Sequence, residues 1–113
     1  MAVICFSDAK NGVHESKGWG KSAYVVSKVG VSALTRIQQR NFEKDRPDCK
    51  IKVNSVHPGY VDTDMTSHQG PLTIEQGASA PLYLATGDHG LYGQFVWCDS
   101  TLVDWAKDFR QIV

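Results

Sequence analysis

Apolar and polar positions along this chain follow two periods, one helical and one extended. From about residue 21 to residue 44 the spacing is helical. Val26, Gly30, Ala33 and Ile37 fall at i, i+4, i+7 and i+11, which is one helix face. Gly30 and Ala33 carry so little side chain that a neighbouring backbone could approach that face closely. Arg46-Pro47-Asp48 is a stop and turn signal. Residues 51–56 then read as a short strand, with β-branched Ile51, Val53 and Val56, ended by Pro58-Gly59. A polar loop is expected from residue 58 to about 72. Thr73 and Gln76 match a capping box, with Thr73 as N-cap, and open a helix expected to end at Ala85 or Thr86. Pro81 inside it predicts a kink, because proline has no amide hydrogen to donate. Residues 87–93 read as a turn region and 94–97 as a second short strand, followed by an irregular tail. At the start, residues 1–11 read as the end of a helix, with Gly12 just past it. Residues 13–20 read as a loop.

The order is therefore helix, helix, strand, long loop, helix, strand. No connection between the two strands suits a tight hairpin, so a parallel crossover is expected. Two short strands do not make a stable sheet, and a parallel sheet needs cover on both faces. One flank of the first strand has no visible partner. We therefore expect residues 1–113 to be a single partial domain of α/β class.

Composition narrows the function classes. The chain has 113 residues, too few for more than one domain, and 42% of them are hydrophobic. Lys plus Arg is 12 and Asp plus Glu is 12, so no surplus of cations is present for a nucleic-acid backbone. Arg36, Arg40 and Lys44 form a basic stripe that reads as a solvated helix face. The three cysteines, Cys5, Cys49 and Cys98, are odd in number and contain no Cys-x-x-Cys pair, which suits a reducing compartment. No apolar run approaches the roughly 18 residues of a membrane span. The apolar start is too short for a signal-peptide core and lacks a cationic leader. A soluble, cytoplasmic chain is expected. His14, His57, His68 and His89 lack paired ligand spacing, so no metal site is expected. His57 is expected to bond backbone in its loop. Trp19, Trp97 and Trp105 are expected to pack the fold, and Cys98 to be a half-buried, unactivated thiol.

Two clusters carry chemistry. In Ser22-Ala23-Tyr24-Val25-Val26-Ser27-Lys28, Tyr24 and Lys28 stand one helical turn apart, with phenol and ammonium on one face. A free tyrosine has a pKa of about 10. A cation one turn away favours the phenolate and makes the tyrosine a usable general acid or base. A bare Tyr-x-x-x-Lys also fits a surface pair on an amphipathic helix. The second cluster, His57-Pro58-Gly59-Tyr60-Val61-Asp62-Thr63-Asp64-Met65, directly follows the first strand. Loops at the carboxyl ends of parallel strands are where α/β sheets bind ligands, although a plain Pro-Gly turn also fits.

Taken together, in this order, the clusters resemble the C-terminal portion of the short-chain dehydrogenase/reductase family, and within it the NADPH-dependent carbonyl reductases. The strings that carry the resemblance are Gly12-Val13-His14, Gly18-Trp19, Ser22-Ala23-Tyr24 with Ser27-Lys28, Val29-Gly30-Val31, Pro58-Gly59-Tyr60-Val61, Thr63-Asp64-Met65, Glu75-Gln76-Gly77-Ala78 and Gly93-Gln94-Phe95-Val96. The resemblance implies the C-terminal half of a Rossmann-type doubly wound parallel sheet, incomplete without its N-terminal half. It implies NADPH-dependent reduction of an aldehyde, ketone or quinone to an alcohol. Tyr24 would be the general acid, and Lys28 its electrostatic partner and a contact to the nicotinamide ribose. Pro58, Gly59, Val61, Asp62 and Thr63 would border the nicotinamide end of the cofactor, with Thr63 available to bond the carboxamide. Tyr60 and Met65 would face the substrate. Asp62 stands where relatives can carry a cation, so no phosphate contact is expected of it.

The family's glycine-rich pyrophosphate turn, its Asn-Ala-Gly motif and the strand bearing its catalytic serine are not in these residues. Ser22 and Ser27 belong to the tyrosine helix and do not replace that serine. We therefore expect a truncated form that is marginally stable and catalytically silent alone, and a monomer when full length. The competing expectation is a non-catalytic module that binds another protein through an open sheet edge.

Overall fold

The computed structural model describes residues 2–104. The expectations for Trp105 and for the tail beyond it lie outside the described residues. The chain divides into two compact units, residues 1–34 and 35–113.

The first unit opens with α1 (Ala2–Lys10). Its end is closed by a pair of bonds, Gly12 N–H to Ala9 O at 3.0 Å and Val13 N–H to Asp8 O at 2.9 Å. That pattern needs a left-handed residue just past the helix, and Gly12 supplies it with φ 70°. The expected loop over 13–20 repeats the device: Gly18 N–H bonds Glu15 O, Trp19 N–H bonds His14 O, and Gly18 has φ 83°. Next comes α2 (Ala23–Asp45), which runs on into the second unit. Ser22 caps it by accepting the Val25 amide hydrogen at 3.2 Å.

The expected apolar face of α2 is only partly right. Val26, Gly30 and Ala33 are half-buried, but Ile37 is exposed. The buried positions are polar: Ser32, Thr35 and Gln39. Nothing would meet a Cβ at Gly30 within 4 Å.

In the second unit, Pro47–Cys49 is a short 3-10 turn after α2. The sheet has the order β1 (Ser55–Val56), β2 (Phe95–Val96), β3 (Leu102–Val103). β1 pairs with β2 in parallel, Ser55 opposite Phe95, as the crossover rule predicts. The outer edge of β1 carries no strand among the described residues. The strand is shorter than residues 51–56; ahead of it the Gln39 side chain bonds Ile51 O and Val53 N, and Gly93 N–H bonds Val53 O. β3 is a correction to the expected irregular tail. It pairs antiparallel to β2 through a tight turn in which Ser100 N–H bonds Trp97 O and Ser100 takes φ 68°. Asp99 fixes that turn by accepting from both the amide and the hydroxyl of Thr101.

The crossover helix α3 (Ile74–Thr86) starts at the expected capping box. Gln76 N–H bonds Thr73 Oγ1, and Thr73 N–H bonds Gln76 Oε1. It runs through Pro81, whose missing N–H leaves the Gly77 carbonyl without its intrahelical donor, the local condition for a kink. Among the described residues the buried apolar ones are Ala80 on α3, Phe95 and Val96 on β2 and Val103 on β3. No described helix is long and apolar enough to cross a membrane.

Candidate functional site

Tyr24 and Lys28 lie in the first turns of α2. Tyr24 is 70% exposed. The Lys28 ammonium stands 5.4 Å from the centre of the Tyr24 ring, a cation–π contact across one helical turn. The expected pairing of the two side chains is therefore present. Neither the phenolic oxygen nor the ammonium has a hydrogen-bond or ion-pair partner among the described residues. Both polar heads are thus available to a ligand. Ser27 is not: its hydroxyl bonds the Tyr24 carbonyl at 2.7 Å, while Ser22 is the helix cap.

The same unit holds a cluster that the sequence reading missed. Asp8 is buried and accepts from Lys17 Nζ at 2.8 Å and Trp19 Nε1 at 3.0 Å. These bonds, Lys17's first, hold its carboxyl below the ordinary value of 3.8 against the opposing effect of burial. An aspartate in the last turn of a helix meets the negative end of the dipole. That local mismatch was the available signal that Asp8 needs a cation.

In the second unit the loop after β1 carries the other expected residues. His57 stacks on Trp97, ring centres 4.3 Å apart and planes 18° from parallel. Its Nδ1 accepts the Gly59 amide hydrogen at 2.9 Å, the backbone bond expected of it. Burial pushes its pKa below the ordinary 6.5. Pro58 is exposed, and Gly59 turns the chain with φ 82°. A Cβ on Gly59 would overlap Leu72 and meet Cys98 Sγ at 3.2 Å, so glycine is required there for packing as well as for the turn.

Residues 60–72 form a loop closed at its base. Asp62 N–H bonds Leu72 O at 2.8 Å and Leu72 N–H bonds Tyr60 O at 3.2 Å. Val61 is half-buried against Gly77 of α3. Its carbonyl accepts from the Thr66 hydroxyl at 2.6 Å, which also accepts the Thr63 amide hydrogen at 3.1 Å. Thr63 Oγ1 lies 3.3 Å from Thr66 Oγ1. Since the Thr66 proton is directed at carbonyls, Thr63 is the donor in that contact. A hydroxyl oxygen has two lone pairs, so Thr63 Oγ1 keeps room for one further donor besides the Thr66 backbone amide that it faces in the capping box. Tyr60 is 51% and Met65 95% exposed. Asp62 does not stand free: its carboxylate meets His68 Nδ1 at 2.6 Å, and Asp64 meets His68 Nε2 at 3.0 Å. Thr66 and His68 are thus loop-building residues that the sequence reading passed over, although Asp64 and His68 have helical i, i+4 spacing.

Comparison with known proteins bears on both clusters. A family model described as short chain dehydrogenase matches residues 4–71. The chain is 45% identical over 102 residues to carbonyl reductase [NADPH] 1 of Sus scrofa, covering 88% of this chain and 35% of that protein. It is 51% identical over 78 residues to carbonyl reductase [NADPH] 3 of Rattus norvegicus, covering 69% of this chain and 28% of the relative. It is 44% identical over 92 residues to carbonyl reductase [NADPH] 1 of Homo sapiens, covering 79% and 33%. The chain therefore spans about a third of the length of these relatives. The matched stretch, residues 4–71, is more than half of the chain and includes Tyr24, Lys28 and the loop from His57 to Met65, and on the ground of that coverage this chain belongs to the short chain dehydrogenase family.

Proposed function

We propose that this chain is the C-terminal part of an NADPH-dependent carbonyl reductase, a single partial α/β domain that works as a monomer when joined to the rest of its fold. The observation that supports the reading is the pairing of Tyr24 and Lys28 across one helical turn, within the stretch that matches the family. NADPH, when bound, supplies the hydride. Tyr24 Oη donates the proton to the oxygen of the carbonyl substrate as that oxygen gains charge. Lys28 stabilises the phenolate that this leaves, since an adjacent cation favours the charged form. Lys28 Nζ also has donors to spare for a ribose hydroxyl. Thr63 Oγ1 accepts from the carboxamide, within the stretch Pro58, Gly59, Val61, Asp62 and Thr63 assigned to the nicotinamide end. Tyr60 and Met65 are assigned to the substrate, and their exposure leaves them apolar surface to offer it. These 113 residues hold no glycine-rich turn for a pyrophosphate, so alone they are expected to be silent.

A second reading has its own observation. The outer edge of β1 has no strand on it, and an unpaired edge is a template for another chain. On that reading the chain is a non-catalytic module that adds its edge to a partner protein.

The test is NADPH oxidation with an aldehyde or a quinone, in the longest native polypeptide that carries this chain. Tyr24→Phe should lower turnover by roughly 10²–10⁴ while leaving NADPH affinity nearly intact. Wild-type turnover in Tyr24→Phe would remove the assignment of the proton donor. No NADPH oxidation in the unsubstituted polypeptide would favour the interaction module.

A further inference from the structure

We propose that His68 is a positioning residue: clamped between the carboxylates of Asp62 and Asp64, it holds the turn that presents Thr63 and Met65. The role rests on the assignment of those two residues to cofactor and substrate, but the clamp itself is a matter of geometry.

The turn is built against local preference. Residues Asp64–Thr66 form one short 3-10 turn. It is closed by Ser67 N–H to Asp64 O at 3.1 Å and His68 N–H to Thr63 O at 3.0 Å. This pair of bonds calls for a left-handed residue at position 67, where glycine is the usual choice. Here Ser67 has φ 52° and His68 has φ 57°, two successive side-chain-bearing residues in the left-handed region. Such residues are disfavoured by contact of Cβ with the backbone, and they persist only where surrounding contacts over-determine them.

Two sets of contacts do so, on alternate residues. The Thr66 hydroxyl ties the backbone of the odd positions, Val61 O at 2.6 Å, Thr63 O at 3.0 Å and Thr63 N at 3.1 Å. The His68 ring ties the side chains of the even positions, Asp62 at 2.6 Å and Asp64 at 3.0 Å. Segment 61–64 is therefore gripped twice. Each ring nitrogen lies within hydrogen-bond distance of one carboxylate, so a single ring bridges both aspartates. A single exposed ion pair contributes little. Here one ring, once ordered, serves two partners and the backbone strain together, so the ordering entropy is shared.

Amide hydrogen exchange on the 113-residue chain tests this. His68→Ala should speed exchange over residues 62–68 by roughly tenfold, the loss of a charge-assisted bond discounted for its exposure. His68→Arg, whose guanidinium can donate to both carboxylates, should return exchange to near the wild-type rate. Unchanged exchange in His68→Ala would overturn the clamp. So would failure of arginine to rescue, or wild-type amides over 62–68 that exchange like those of an unfolded peptide. In the longest native polypeptide, His68→Ala should raise KM with kcat little changed, and arginine should again rescue; a fall in kcat alone would overturn the positioning role. Absence of NADPH oxidation in every form would sink the reductase reading and leave the exchange result standing by itself.

Discussion

Val53 donates its amide hydrogen to Gln39 Oε1 at 2.7 Å, and the same side chain donates Nε2–H to the Ile51 carbonyl at 3.1 Å. One helix side chain thus makes the two bonds that a neighbouring strand would make. Gln39 is 3% exposed, and Ile51 and Val53 are half-buried beside it. Gln39→Leu keeps the volume but leaves both groups unpaired. It should lower stability by roughly 2–4 kcal/mol, read as the urea unfolding midpoint. Gln38→Leu, at an exposed position of the same helix, should cost less than about 0.5 kcal/mol. Equal midpoints for the two variants would contradict the strand-mimic role.

What the sequence made legible divides along the same line. The capping box of Thr73 and Gln76 and the left-handed Gly12 are contacts over a few residues, written in local sequence. The parallel pairing of β1 with β2 followed from connection length and handedness. Gln39 replacing a strand was not legible, because its partners lie 12 and 14 residues away and glutamine is common on solvated faces. β3 was hidden because its turn uses Asp99 and Ser100 rather than glycine. Tyr24 and Lys28 were readable from their spacing. The His68 clamp depends on a loop path that no periodicity encodes.

Asp8 makes the first unit sensitive to acid. Its carboxyl titrates below 3.8 when folded, chiefly through the Lys17 bond and then Trp19. A group whose folded value is depressed stabilises the fold above its unfolded value and loses that contribution as pH falls through the folded one. Thermal unfolding followed from roughly pH 5 to pH 2 should show the loss in the wild type. Lys17→Met should raise the Asp8 titration midpoint and shrink the acid-dependent part. An unchanged carboxyl titration in Lys17→Met would show that the ion pair does not hold the charge.

His57 acts at milder pH with the same sign. Burial lowers its folded pKa below 6.5, so the unfolded chain takes up the proton first. Stability is therefore full above 6.5 and declines as pH falls from there, levelling off below the folded value. Protonation also turns Nδ1 from acceptor to donor, against the Gly59 amide hydrogen it now holds. His57→Phe keeps a ring on Trp97 and removes the titration. Its urea midpoint should be lower than wild type at neutral pH, because the Gly59 donor is unpaired, and flat across the window in which wild type declines. A wild-type midpoint that does not move there would refute the coupling.

Gly77 and Gly30 are both helical glycines, and the same substitution should act on them in opposite directions. Alanine in place of glycine gains about 1 kcal/mol of helix propensity at either position. At Gly30 nothing would meet the added Cβ within 4 Å, so the gain stands. At Gly77 the Cβ would overlap Val61 Cγ2 and lie 3.1 Å from Cγ1. Valine has one strongly preferred χ1 in most settings and cannot swing aside cheaply. Overpacking of this kind costs about 1–3 kcal/mol. The net expectation is a loss of about 1 kcal/mol for Gly77→Ala against a gain of about 1 kcal/mol for Gly30→Ala, both read from urea midpoints. The loss has a functional reach, because displacing Val61 strains its carbonyl bond to Thr66 and with it the seat of Thr63. Faster amide exchange at Thr63 in Gly77→Ala, and not in Gly30→Ala, is the expected signature. A Gly77→Ala chain as stable as Gly30→Ala would mean that α3 does not press on Val61.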